Sequence, residues 1–147
     1  MFDVALSIRC LINITDRDKQ YAALANIASV LKPSGLFIFL EGSKDGRDGL
    51  NGLRVAAGLD AMPKVWHNVD FQEEDLMGFL RQHFEVVERI SFGIYDLVAR
   101  VIHPLLVRPE APSYEASINE IGASLALNRP HDLADISRVV GLVLRKK

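Results

Sequence analysis

The run Leu36-Phe37-Ile38-Phe39-Leu40, closed by Glu41, constrains the fold more than any other stretch of the chain. Five consecutive apolar residues leave no polar face. A strand with one wet side alternates apolar and polar positions, whereas a strand covered on both sides reads as a continuous apolar run. The run is therefore predicted to be a central strand with a layer on each side. The segment before it reads as a helix, because Tyr21, Leu24, Ile27, Ala28 and Leu31 recur at three- and four-residue spacing within 16–31. Thr15 or Asp16 is placed to cap its start, and Lys32-Pro33-Ser34-Gly35 to end it.

The remaining elements alternate around this pair. Phe2–Ile8 reads as a short apolar strand opening the chain. Chain termini usually sit in exposed, weakly ordered segments, so the expectation is that a further segment lies upstream. A polar, glycine-rich stretch over 42–49 leads to a helix near 50–57, and 60–70 reads as an ordered loop containing Met62-Pro63-Lys64-Val65-Trp66-His67-Asn68. A helix follows over 72–82, with Leu76, Phe79 and Leu80 on one face, then strands over 84–92 and 139–144. Between those strands lies an insertion, 94–136. It is expected to be helical over 95–106 until Pro104 interferes, extended over 108–112, and helical again over 113–127. Alternating strands and helices indicate an α/β layout with parallel strands, and the insertion implies that the last strand returns antiparallel.

Bulk properties narrow the function classes. With 147 residues, 49% hydrophobic and 24% charged, the chain is predicted to be one soluble domain. A net charge of -2 argues against a general nucleic-acid or membrane-surface binder, and Arg145-Lys146-Lys147 reads as a solvated tail. Cys10 is the single cysteine, which excludes an intrachain disulfide and fits a reducing, cytoplasmic setting. It reads as a small buried apolar residue rather than a nucleophile. No apolar run reaches the roughly 18 residues of a membrane span. No His/Cys/Asp/Glu spacing suits a metal, and no G-x-S-x-G elbow supports a hydrolase.

Two motifs carry a resemblance. Phe2-Asp3-Val4-Ala5-Leu6-Ser7-Ile8-Arg9 is similar to the fourth strand of class I S-adenosylmethionine-dependent methyltransferases, and Leu31-Lys32-Pro33-Ser34-Gly35-Leu36-Phe37-Ile38-Phe39-Leu40-Glu41 resembles that family's entry to strand five. Ser34 stands where the family usually has its first glycine. Trp66-His67-Asn68 and Arg100-Val101-Ile102-His103-Pro104 resemble features of a small-molecule subgroup. The resemblance spans nearly the whole chain and implies a single domain holding the C-terminal half of a Rossmann-like sheet. Its strands would be family strands 4-5-7-6, mostly parallel with the last antiparallel, and the helical insertion would precede the last strand. The family's glycine-rich cofactor loop and its ribose-holding acid would both precede Met1. Gly42, Gly46, Gly49 and Gly52 do not reproduce G-x-G-x-x-G spacing, and Glu41 is on the wrong strand for the ribose.

The resemblance implies S-adenosylmethionine as cofactor, with Ser7, Ile8 and Arg9, and less directly Leu11, on one wall of its pocket. Ser7, Arg9 and Glu41 would lie at the rim beyond the strand ends. Each candidate has a plainer alternative. Arg9 either orients a carboxylate or pairs at the surface. His67 is either a general base, its imidazole titrating near neutrality, or a loop histidine bonded to backbone. Trp66 either walls a substrate pocket beside Asn68 or anchors its loop in the core. Tyr95 and Arg100 are placed to face the substrate, and His103 reads as structural. The function implied is the C-terminal portion of a methyltransferase acting on a small molecule and inactive on its own. The alternative is a non-catalytic oligomeric or interaction module. In either case the Phe2–Ile8 edge is left unpaired and one apolar sheet face lacks helices. Either the insertion helices cover that face, or a homodimer or partner chain does.

Overall fold

The computed structural model describes residues 1–147. The chain is a mixed α/β fold that divides into two compact units. The first comprises Met1–Lys44, Lys64–Ile90 and Val139–Lys147, and the second Asp45–Pro63 and Ser91–Arg138.

The first unit is built on a four-stranded sheet. In chain order its strands are β1 (Phe2–Ile8), β2 (Leu31–Gly42), β3 (Phe84–Ser91) and β4 (Val139–Lys146), and in space they run β1-β2-β4-β3. β1 pairs parallel with β2, with Leu6 opposite Ile38. β2 pairs antiparallel with β4, with Ile38 opposite Val143. β4 also runs against β3, and the Lys147 N–H donates to the His83 carbonyl at 3.1 Å just past the pair. The reversed strand was expected from the insertion before it. Because β4 lies inside the sheet, only the β1–β2 pair is parallel.

Two helices cover one face of this sheet: α1 (Arg17–Val30) and α3 (Glu73–His83). The Asp16 side chain accepts the Lys19 N–H at 3.0 Å and so caps α1. In α3, Glu73, Glu74 and Asp75 occupy the first turn and Arg81 and His83 the last, each sign set against the helix dipole. Leu24 and Ala28 of α1, Leu76 and Leu80 of α3, and Phe37, Phe39, Leu142 and Leu144 of the sheet form the core. Each large side chain buried there contributes roughly 1.5–3 kcal/mol. The expected terminator Lys32-Pro33-Ser34-Gly35 is instead part of β2. Phe2 faces Leu31 while Val4 faces Leu36, so two steps along β1 span five along β2. Ser34 absorbs the irregularity with φ 63°.

The opposite face departs from the reading of β2 as buried on both sides. Phe37 and Phe39 are fully buried, but Leu36, Ile38 and Leu40 are only half-buried. On the edge strand Phe2, Val4, Leu6 and Ile8 are 54–62% exposed. Strand register places Val4, Leu6 and Ile8 beside Leu36, Ile38 and Leu40 on that side. An apolar face therefore stays open to water.

The second unit is helical. It contains most of α2 (Lys44–Ala56), a continuous helical segment over 93–107, and α6 (Ser117–Asn128). In α2, Leu50 packs with Val101 and Ile136. The segment 93–107 runs as α4 (Gly93–Leu97), a π-helical turn (Val98–Ile102) and α5 (His103–Val107), so Pro104 does not stop it. Proline has no N–H for the carbonyl four residues back, which is that of Arg100. The widened turn frees that carbonyl, and the Arg54 guanidinium donates to it. Close approach explains one glycine here: a Cβ at Gly46 would lie 1.7 Å from the Ser137 carbonyl oxygen. No helix is long and apolar enough to cross a membrane.

Candidate functional site

Most of the residues singled out from the sequence lie in the first unit, at the carboxyl ends of β1 and β2 or on the loops of the same unit. β1 ends at Ile8, and Arg9 then takes a left-handed conformation with φ 48° while its N–H still donates to the Leu40 carbonyl at 2.8 Å. The chain turns there into a 3₁₀ turn, Leu11–Asn13. Glu41 governs this turn. Fully buried, it accepts the Ser7 hydroxyl at 2.5 Å and the backbone N–H groups of Cys10, Leu11 and Ile12 at 3.0, 3.1 and 3.2 Å. Four donors converge on one carboxylate, so Glu41 acts as a clamp on the loop after β1.

A second loop runs alongside. The Val69 N–H donates to the Ile12 carbonyl at 2.8 Å, and the buried Gln20 amide donates to Leu11 and Val69 carbonyls at 3.1 and 2.8 Å. The 3₁₀ turn after β1 and the segment at Val69 are therefore stitched together through Leu11, Ile12 and Gln20. Around the end of β1 the individual residues differ. Ser7 is 5% exposed and its hydroxyl is committed to Glu41, whereas Ile8 and Arg9 are exposed. Ile8 and Arg9 thus present their side chains to solvent, while the Ser7 hydroxyl is held inside by Glu41.

His67 is exposed, and its ring meets Trp66 edge-on with centroids 5.2 Å apart. Trp66 is 85% exposed, so the core-anchor reading of it is wrong. The neighbouring loop positions Pro63, Lys64 and Val65 are exposed too, which leaves the indole no core to enter. Asn68 is buried, and its N–H donates to the Val65 carbonyl at 3.0 Å. Cys10 is exposed rather than buried, because Arg9 turns the chain outward before it.

Tyr95 and Arg100 lie in the second unit. Tyr95 is half-buried near Gly122, while Arg100 lines a cavity of about 500 Å³. Arg54, Arg108 and Arg138 join Arg100 there, with Asp60, Glu110, Tyr114, Met62 and Pro104 among the other walls. Arg138 is held by the buried Asp96, its Nε 2.7 Å from Oδ1 and its N–H 2.8 Å from Oδ2. Arg54 donates from Nε to the Asp60 carbonyl at 2.9 Å and from Nη1 to the Arg100 carbonyl. Burial, and next the Arg100 guanidinium, draw Arg54 below the usual arginine range, with Asp60 acting in the opposite sense. Arg108 donates to the Gly58 carbonyl, and the Arg100 guanidinium lies 5.0 Å from the Tyr114 ring centre. Of this cluster the sequence reading found Arg100 alone. The other arginines are dozens of positions apart or separated by a loop, and no local spacing announces their convergence.

No family model matches the chain, and no curated protein matches it. Among solved structures, one described as "Crystal structure of MccD protein" aligns with 99% of this chain and 61% of its own, at 15% identity and a TM-score of 0.42. The chain thus spans less than two thirds of that structure's length.

Proposed function

We propose that the chain is the C-terminal portion of an S-adenosylmethionine-dependent methyltransferase acting on a small molecule, and that it is inactive without a segment carrying the glycine-rich loop. The observation that carries this reading is the strand order β1-β2-β4-β3 with β4 reversed. It is the order expected of family strands 4-5-7-6, joined to motifs of the fourth and fifth strands. The cofactor, when bound, supplies the methyl group. Ile8 and Arg9 would form one rim of its site, beyond the carboxyl ends of the strands. The Glu41 clamp would hold that rim in place through Ser7 and the N–H groups of residues 10–12. His67 would accept a proton from an oxygen or nitrogen acceptor, with Trp66 and Asn68 on the same loop.

Reading the coding DNA upstream of Met1, followed by calorimetric titration with S-adenosylhomocysteine, tests this. The expected outcome is an in-frame strand and glycine-rich loop, with micromolar binding by the extended product. If the upstream frame holds no such loop, and the chain does not bind S-adenosylhomocysteine, methyl transfer is excluded.

One observation favours a second reading, a non-catalytic module completed by a second copy of the chain. The exposed row Phe2, Val4, Leu6 and Ile8 lies on an edge strand whose outer side makes no pairing. Such an edge is a template for another strand. Sedimentation should then show a concentration-dependent dimer that Leu6→Lys abolishes, whereas a monodisperse monomer would exclude this reading.

A further inference from the structure

The cavity of the second unit combines a small-molecule volume with an unbalanced charge. Pockets for small ligands commonly measure roughly 300–1,000 Å³, and this one measures about 500 Å³. Four guanidinium groups line it. Arg138 has its carboxylate partner in Asp96, buried at 1% exposure. The other three do not. Arg54 and Arg108 donate to backbone carbonyls, and Arg100 lies against the Tyr114 ring. None of the three forms an ion pair with Asp60 or Glu110, although both acids also line the cavity. The Arg100 Nε is buried and has no hydrogen-bond partner.

A buried donor without an acceptor costs free energy, and clustered cations cost more. Both costs fall if an oxyanion enters. Arginine suits that role, because its planar fork presents paired N–H groups to carboxylate or phosphate oxygens. Burial is the largest influence that lowers the proton affinity of Arg54, and the nearby Arg100, Arg108 and Arg138 add to it against Asp60 alone.

We propose that this cavity binds the carboxylate or phosphate group of a small organic molecule, held by Arg54, Arg100 and Arg108, with the body of the molecule against Tyr114, Met62 and Pro104. The proposal concerns the second unit alone. It does not rest on the methyl-transfer reading and holds equally for a chain with no catalytic role.

The test titrates phenyl phosphate, benzoate and neutral benzamide into the purified chain at low ionic strength, with calorimetric detection. At least one anion should saturate with an affinity about tenfold or more above that of benzamide, and should weaken as salt is added. Whether phenyl phosphate or benzoate prevails identifies the head group. Arg100→Gln should weaken that anion about tenfold or more, and Arg100→Lys should weaken it less. The absence of saturable anion binding, or binding that Arg100→Gln leaves unchanged, overturns the proposal. Should Arg100→Gln fail to fold, the Arg100 Nε–Hε resonance of the unaltered chain decides the matter. A shift that saturates with the anion supports the proposal, and an unmoved resonance overturns it.

Discussion

The Ser7 hydroxyl donates to the Glu41 carboxylate at 2.5 Å, tying the end of β1 to the end of β2 inside the core. Three backbone N–H groups share the same carboxylate, so its loss leaves several buried donors unmet. Glu41→Gln presents an amide NH₂ to groups that also donate, and is expected to cost about 2–4 kcal/mol. Ser7→Ala removes one donor and should cost about 1–2 kcal/mol. Urea denaturation of both variants checks the ranking. Negligible losses would show that the clamp contributes nothing, and equal losses would contradict the ranking.

Ser34 holds φ 63° in the irregular part of β2. A residue with a Cβ pays roughly 1–2 kcal/mol in that region, and glycine gives back roughly 0.5–1 kcal/mol through its freer unfolded state. Ser34→Gly is therefore expected to stabilise the chain by about 0.5–1 kcal/mol. A rise in the denaturation midpoint at unchanged slope is the expected reading, and a fall would contradict it.

Tyr21 has a buried hydroxyl without a partner, and burial raises its pKa above the usual tyrosine value. The folded state thus prefers the neutral phenol. Its contribution is fully present below the unfolded pKa, near 10, and is lost as pH rises through the higher folded value. Tyr21→Phe should stabilise by about 1 kcal/mol at neutral pH and flatten the alkaline loss. Thermal melts of both proteins from neutral to alkaline pH measure the two effects together.

Trp66 is the single tryptophan and is 85% exposed. Its emission should resemble free indole and be quenched by iodide in the folded protein. Trp66→Ala should change stability by no more than about 0.5 kcal/mol. Shielded emission would mean that this loop is covered in solution, as a bound partner would do.

The strands and helices were legible because their signals are local. The period of Tyr21, Leu24 and Ala28 and the unbroken run Leu36–Leu40 both describe elements that formed. The open sheet face was legible only as a question, since Leu36, Ile38 and Leu40 look alike whether or not something packs on them. Pro104 misled as a stop signal, because the carbonyl it orphans found Arg54, which is remote in sequence. Trp66 and Cys10 were misplaced for a similar reason. Their composition favours burial, but the turn at Arg9 and the course of the loop decide their exposure. The arginine-lined cavity left no trace in any window, since its walls come from three separate stretches of chain.

The antiparallel pairing of β2 with β4 also has a kinetic meaning. Glu41 meets Val140 across about a hundred intervening residues, and closing so long a loop before any contact rewards it slows folding. Much of that span is Ser91–Arg138, which has its own compact contacts. Early formation of this stretch would shorten the effective loop. Substitutions within the second unit that leave its final stability intact should then still alter the rate at which the sheet of the first unit closes.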